Sequence, residues 1–232
     1  MQAEAVIYLS NARGCSQNEW YRSYHTFDVD RYEDGRNSIG ALTALNDDTL
    51  KAGRTLTHSF AKETAVLLLP LIGELQYKGG HGIEGSMDVG EAHVLLLPAG
   101  STLDITNAYQ SEPINYLQLW FTIDGHTKSI EAVGQYQFDL IDQKNKLINL
   151  HTTQGTNLPG SRILIGKYGG RNEGRHQLKD PAKGVFAFVV DGTFEVQNRL
   201  LQSRDGLWIS NVDGIEFEAL SLEGILILIE GD

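Results

Sequence analysis

Seven histidines, one cysteine and one adjacent aspartate pair carry most of the reactive chemistry available to this sequence of 232 residues. Two histidines at i and i+2 on a strand project to one face and can share a metal ion. His25, His58, His81, His93, His126, His151 and His176 include no such pair. The sequence also lacks the H-E-x-x-H, G-x-S-x-G and P-loop patterns that mark zinc hydrolysis, acyl transfer and nucleotide binding. His93 lies in an apolar run, as expected of a hydrogen-bonded interior or pocket histidine, and His25 is expected to make structural hydrogen bonds. His81 falls in a glycine-rich hairpin, and His126, His151 and His176 fall in polar contexts. Asn46-Asp47-Asp48 reads as a turn, because Asn and Asp side chains bond their own backbone. The stretch Gly169-Gly170-Arg171-Asn172-Glu173-Gly174 has the composition of an anion loop but opens no helix, so a hairpin is expected. Cys15 reads as a small loop residue; a single thiol forms no intramolecular disulfide and fits a reducing compartment.

The elements that must position these groups are strands. Runs of four to eight Val, Ile, Leu, Phe and Tyr alternate with Gly, Asp and Asn punctuation. The clearest are Ala5–Leu9, Ala65–Leu71, His93–Leu97, Tyr116–Phe121, Ser161–Lys167, Val185–Val190, Gly206–Ser210 and Gly224–Ile229. No stretch holds a helical period beyond about ten residues, so a barrel or sandwich is expected. The chain also reads as doubled: an apolar strand, a Gly turn, an alternating strand, a second Gly-containing turn and another apolar strand occur in each half. A polar stretch, Asp124–Gly160, separates the halves. Net charge is −11, which disfavours a nucleic-acid partner, since such affinity comes from Lys and Arg neutralising phosphates. The longest apolar runs fall far short of the ~20 residues of a membrane span, and no secretory signal is read at the N-terminus. A cytoplasmic monomer is expected.

The first half resembles the pirin family of bicupins, including its bacterial quercetin-dioxygenase-like members. The residues that carry the resemblance are Trp20 with Ser23-Tyr24-His25-Thr26-Phe27, Asn46-Asp47-Asp48, Val89-Gly90-Glu91, Pro98-Ala99-Gly100 and Leu117-Gln118-Leu119-Trp120. Residues 161–229 resemble the second cupin of the bacterial members. The resemblance implies an all-β fold of two tandem cupin barrels (double-stranded β-helix, or jelly roll) packed together. Their expected bounds are 1–125 for the first cupin, 126–158 for a connector and 159–232 for the second cupin. Trp20, Tyr24, Phe27 and Trp120 are expected in core and interdomain packing rather than in a ligand cage.

In that family an iron ion is held by a His-x-His pair and by a later His-x-Glu pair. Carried onto this sequence without gaps, the first pair falls on Ser59 and Ala61 and the second on Leu103 and Ile105. Shifted registers give Thr57 with Ser59, and Ile105 with Asn107. None of these is a normal iron ligand set. Ser59, Ala61, Leu103 and Ile105 are therefore expected to line the former metal pocket, with Thr57, His93 and Asn107 as its polar groups. If Ser59 points in, alternation points His58 out. The expected protein is a metal-free pirin-like bicupin without catalytic residues or cofactor, binding a small molecule or a protein partner. One alternative is an iron-dependent oxygenase of the quercetin 2,3-dioxygenase type. The other is a metal-independent enzyme such as an isomerase, with His93 or Asp104 as acid or base.

Overall fold

The computed structural model describes residues 3–28, 38–123, 133–150 and 161–231. The strands in chain order are β1 (Glu4–Tyr8), β2 (Gly14–Gln17), β3 (Tyr21–Asp28), β4 (Leu42–Leu50), β5 (Thr55–Ser59), β6 (Thr64–Ile72), β7 (Leu75–Gly79), β8 (Glu84–Met87), β9 (Glu91–Leu97), β10 (Thr102–Thr106) and β11 (Ile114–Thr122). They continue as β12 (Val133–Gln137), β13 (Ile148–Asn149), β14 (Arg162–Gly169), β15 (Glu173–Gln177), β16 (Val185–Asp191), β17 (Thr193–Val196), β18 (Arg199–Gln202), β19 (Gly206–Ser210), β20 (Gly214–Ala219) and β21 (Glu223–Glu230). Among the described residues the only helical pieces are two 3-10 turns, Ser10–Ala12 and Gly80–Gly82.

The first barrel pairs a seven-stranded sheet, β12-β9-β6-β11-β4-β3-β2, with a four-stranded sheet, β5-β10-β7-β8. The second pairs a six-stranded sheet, β1-β19-β16-β21-β14-β13, with a four-stranded sheet, β15-β20-β17-β18. The order β9-β6-β11-β4 in one is β19-β16-β21-β14 in the other, and β5-β10-β7-β8 is β15-β20-β17-β18. Each barrel is therefore a copy of the same double-stranded β-helix, as the doubled sequence pattern implies. The matching connections β6–β7 and β16–β17, each leading from the large sheet to the small one, both turn through a glycine at positive φ, Gly73 at 76° and Gly192 at 81°. That conformation is close to free for glycine and costly for other residues.

Two patterns of burial build each copy. The central strands of the large sheets are buried on both faces and read as near-continuous apolar runs: all of Thr64–Pro70 in β6 and Val185–Val190 in β16 are buried. Small-sheet strands have one wet face and alternate, as β10 does with Leu103 and Ile105 buried between more exposed neighbours. The first core gathers Leu50, Val66, Leu68, Tyr77, Leu95, Leu103, Ile105 and Tyr116. The second gathers Leu164, Val185, Val189, Phe194, Phe217 and Leu226.

The chain departs from the expected layout in four places. Asn46-Asp47-Asp48 is no turn but the middle of β4, paired with Gln118, Leu117 and Tyr116 on β11. The ladder supplies the backbone hydrogen bonds that an Asx turn would otherwise have provided. Cys15 lies in strand β2, exposed, rather than in a loop. Val133–Gln137, placed in the connector by sequence, is a strand of the first barrel, paired with β9. The first strand belongs to the second barrel: β1 runs antiparallel to β19, with Glu4 opposite Ser210 and Tyr8 opposite Gly206. Residues 3–13, 138–150 and 161–231 thus form one compact unit, and residues 14–28, 38–123 and 133–137 the other.

The nearly buried Asp205 ties down the end of β1, its Oδ1 accepting from the Ser10 amide at 2.7 Å and its Oδ2 from the Gln202 amide at 2.9 Å. Deleting residues 1–9 removes this edge strand and uncovers β19. At about 1 kcal/mol net per lost hydrogen bond, the second barrel should lose about 3 kcal/mol. Urea denaturation should find the second-barrel transition shifted down, with the first-barrel transition in place.

Candidate functional site

Strand alternation decides what the first barrel's interior is made of. On β5, Thr55, Thr57 and Ser59 are exposed, while Leu56 and His58 are half-buried and turn inward. Phe60 follows them on the same side and is buried. The expected register is therefore wrong by one residue on this strand: His58 points in and Ser59 points out. Ala61 is exposed as well. Thr57, on the outer face, donates from Oγ1 to Asp104 Oδ1 at 2.6 Å. Asp104 shares that outer face, whereas His93 is buried on an inner one, so no acid–base pair forms from the two.

Leu103 and Ile105 do face inward from β10, each 0% exposed, as packed members of the core. Asn107 is equally buried, but its side chain is spent on the backbone. Its Nδ2 donates to the carbonyls of Leu50 and Glu112, and its Oδ1 accepts from the Tyr109 amide. His93 accepts or donates through Nδ1 to the Tyr77 hydroxyl at 3.0 Å, and burial lowers its pKa. His25 is tied through Nδ1 to Asn46 Oδ1 at 2.8 Å and through Nε2 to Ser16 Oγ at 3.1 Å.

The polar centre that does assemble was not anticipated as a unit. Gln118 on β11 is 0% exposed, and Asp48 on β4 is 1% exposed. The Gln118 Nε2 donates to Asp48 Oδ2 and to His58 Nε2, the latter at 2.9 Å. Its Oε1 accepts from the Trp120 indole at 3.1 Å. The indole N–H is a donor only, and it therefore fixes which end of the amide points where. With Nε2 facing His58, the His58 Nε2 must be the acceptor, and its proton sits on Nδ1. The imidazole is thus held neutral, edge-on to Trp120 at 5.4 Å between centroids, with Phe60 4.8 Å from the same indole. Trp20, Tyr21, Leu56 and Trp120 are the partly buried side chains packed around this end of the core.

Asp48 lies in register between Ser23 on β3 and Tyr116 on β11. Its Oδ1 and the Tyr116 hydroxyl are buried, and neither has a hydrogen-bond partner among the described residues. Burial pushes the Asp48 carboxyl up to about 7, with a smaller push from Asp47, against the lowering effect of Ser23 and Gln118. Burial and the nearby Asp48 also raise the Tyr116 hydroxyl well above its usual range. Among the described residues no three His, Cys, Asp or Glu side chains converge as metal ligands do.

The second barrel reaches across its two sheets in a related way. His176, fourth in β15 as His58 is fourth in β5, meets Glu230 Oε1 on β21 through Nε2 at 2.6 Å. Glu230 also pairs with Arg162 on β14 at 3.0 Å and accepts the Lys179 amide at 3.1 Å.

Residues 161–230 match the family described as the quercetinase C-terminal cupin domain. Over 230 residues the chain is 24% identical to the quercetin 2,3-dioxygenase of Escherichia coli K12, covering 96% of this chain and 97% of that protein. The crystal structure of YhhW from Escherichia coli superposes with a TM-score of 0.83 at 21% identity, over 99% of this chain and 98% of that one. The structure of the bacterial pirin YhhW in complex with nickel(II) superposes at 0.84 with 19% identity, over 98% and 99% of the two chains. The chain has the fold of a pirin-like bicupin. Its quercetinase-like second cupin lies within the second barrel, and the Gln118 network lies wholly in the first. Among the described residues of this bicupin no helix is long and apolar enough to cross a membrane.

Replacing Gln118 by Leu keeps the side-chain volume close but strips the buried Asp48 Oδ2, the His58 Nε2 and the Trp120 indole of a partner. Unpaired buried polar groups cost about 1–3 kcal/mol each. Gln118→Leu should lower stability by roughly 3 kcal/mol in urea denaturation and shift the Trp120 fluorescence.

Proposed function

We propose that this pirin-like bicupin binds a small molecule or a protein partner without metal-dependent turnover. The observation that carries the reading is the set of side chains turned into the first barrel from β5 and β10 with Phe60. Leu56, His58, Phe60, Leu103 and Ile105 offer a single imidazole. A divalent ion bound in this fold needs several convergent nitrogen or oxygen donors. Here the amide N–H group of Gln118 stands between His58 Nε2 and Asp48 Oδ2 and donates to both. A cation bridging those two acceptors would meet that donor, so the residues present do not fit a bound divalent ion.

The quercetin dioxygenase name of the Escherichia coli relative and the nickel of YhhW favour an oxygenase. The donor set argues against carrying that activity to this chain. Fold alone does not decide it, since one fold hosts many activities. Isomerase-type chemistry on His93 has less support, because that ring is buried and engaged by Tyr77. The net charge of −11 supports a partner other than nucleic acid, and the single thiol supports a cytoplasmic setting.

The test is metal content by plasma mass spectrometry on untagged protein grown with added iron and nickel, with quercetin-dependent oxygen uptake on the same sample. The expected outcome is below about a tenth of an equivalent of any transition metal and no oxygen uptake above buffer. Near one equivalent of metal with quercetin turnover would overturn the proposal.

A further inference from the structure

We draw no further inference here: the strongest candidate, the groove on the solvent face of the second barrel's small sheet where Glu173, Glu218 and Glu195 stand side by side on β15, β20 and β17, is a cluster of acidic side chains, and among the described residues no buried, unpartnered polar group is aimed into it to say what it would bind.

Discussion

The side-chain amide of Gln118 must satisfy all its hydrogen bonds inside the barrel, and much of the first unit is arranged around that requirement. An amide at 0% exposure recovers the hydration it gives up only through its neighbours. It finds them on both sheets: Asp48 on β4 and Trp120 on its own β11 belong to the large sheet, and His58 on β5 belongs to the small one. A single side chain thereby stitches the two layers together at a point where apolar packing alone would leave their sliding unopposed. Polar groups of this kind specify one arrangement of a core, and they do so only while every member keeps its partner.

The second barrel meets the same geometric problem with charge. His176 and Arg162 converge on Glu230, again joining a small-sheet strand to the large sheet. The two copies thus share strand order, the glycines that turn the chain from large sheet to small, and the position of a sheet-bridging histidine, while differing in the partner it meets. In one barrel the acceptor of the bridge is an imidazole held neutral by an amide; in the other a carboxylate gathers two basic groups. The frame is the same in both barrels, and their interiors join the two sheets by different chemistry.

How much of this could be read from the sequence follows from the same division between sheets. Every strand named in advance from an apolar run lies in a large sheet: β1, β6, β9, β11, β14, β16, β19 and β21. Burial on both faces makes the central ones continuous and conspicuous, while β1, an exposed edge strand, shows by its short apolar run alone. Small-sheet strands such as β5 (Thr55-Leu56-Thr57-His58-Ser59) show a short alternation easily lost among polar residues. The placement of His58 was lost with it, since a shift of one residue turns a strand's side chains to the other face. Asp48 was hidden for another reason: Asn46-Asp47-Asp48 has the composition of a turn, and only its ladder with β3 and β11 makes it a strand. Leu103 and Ile105, expected from the family register as lining of a pocket, are packed members of the core, because an aliphatic side chain turned into a barrel has no better place.

The central claim is that an amide donor occupies the place between His58 and Asp48, leaving no seat for a cation. Nitrogen-15 and proton NMR of the His58 ring at neutral pH tests it most directly, before and after one equivalent of nickel(II). The expected result is a neutral imidazole protonated on Nδ1, with Nε2 accepting a hydrogen bond and its resonances unmoved by nickel. Protonation on Nε2, or paramagnetic loss of the His58 signals at one equivalent, would contradict it.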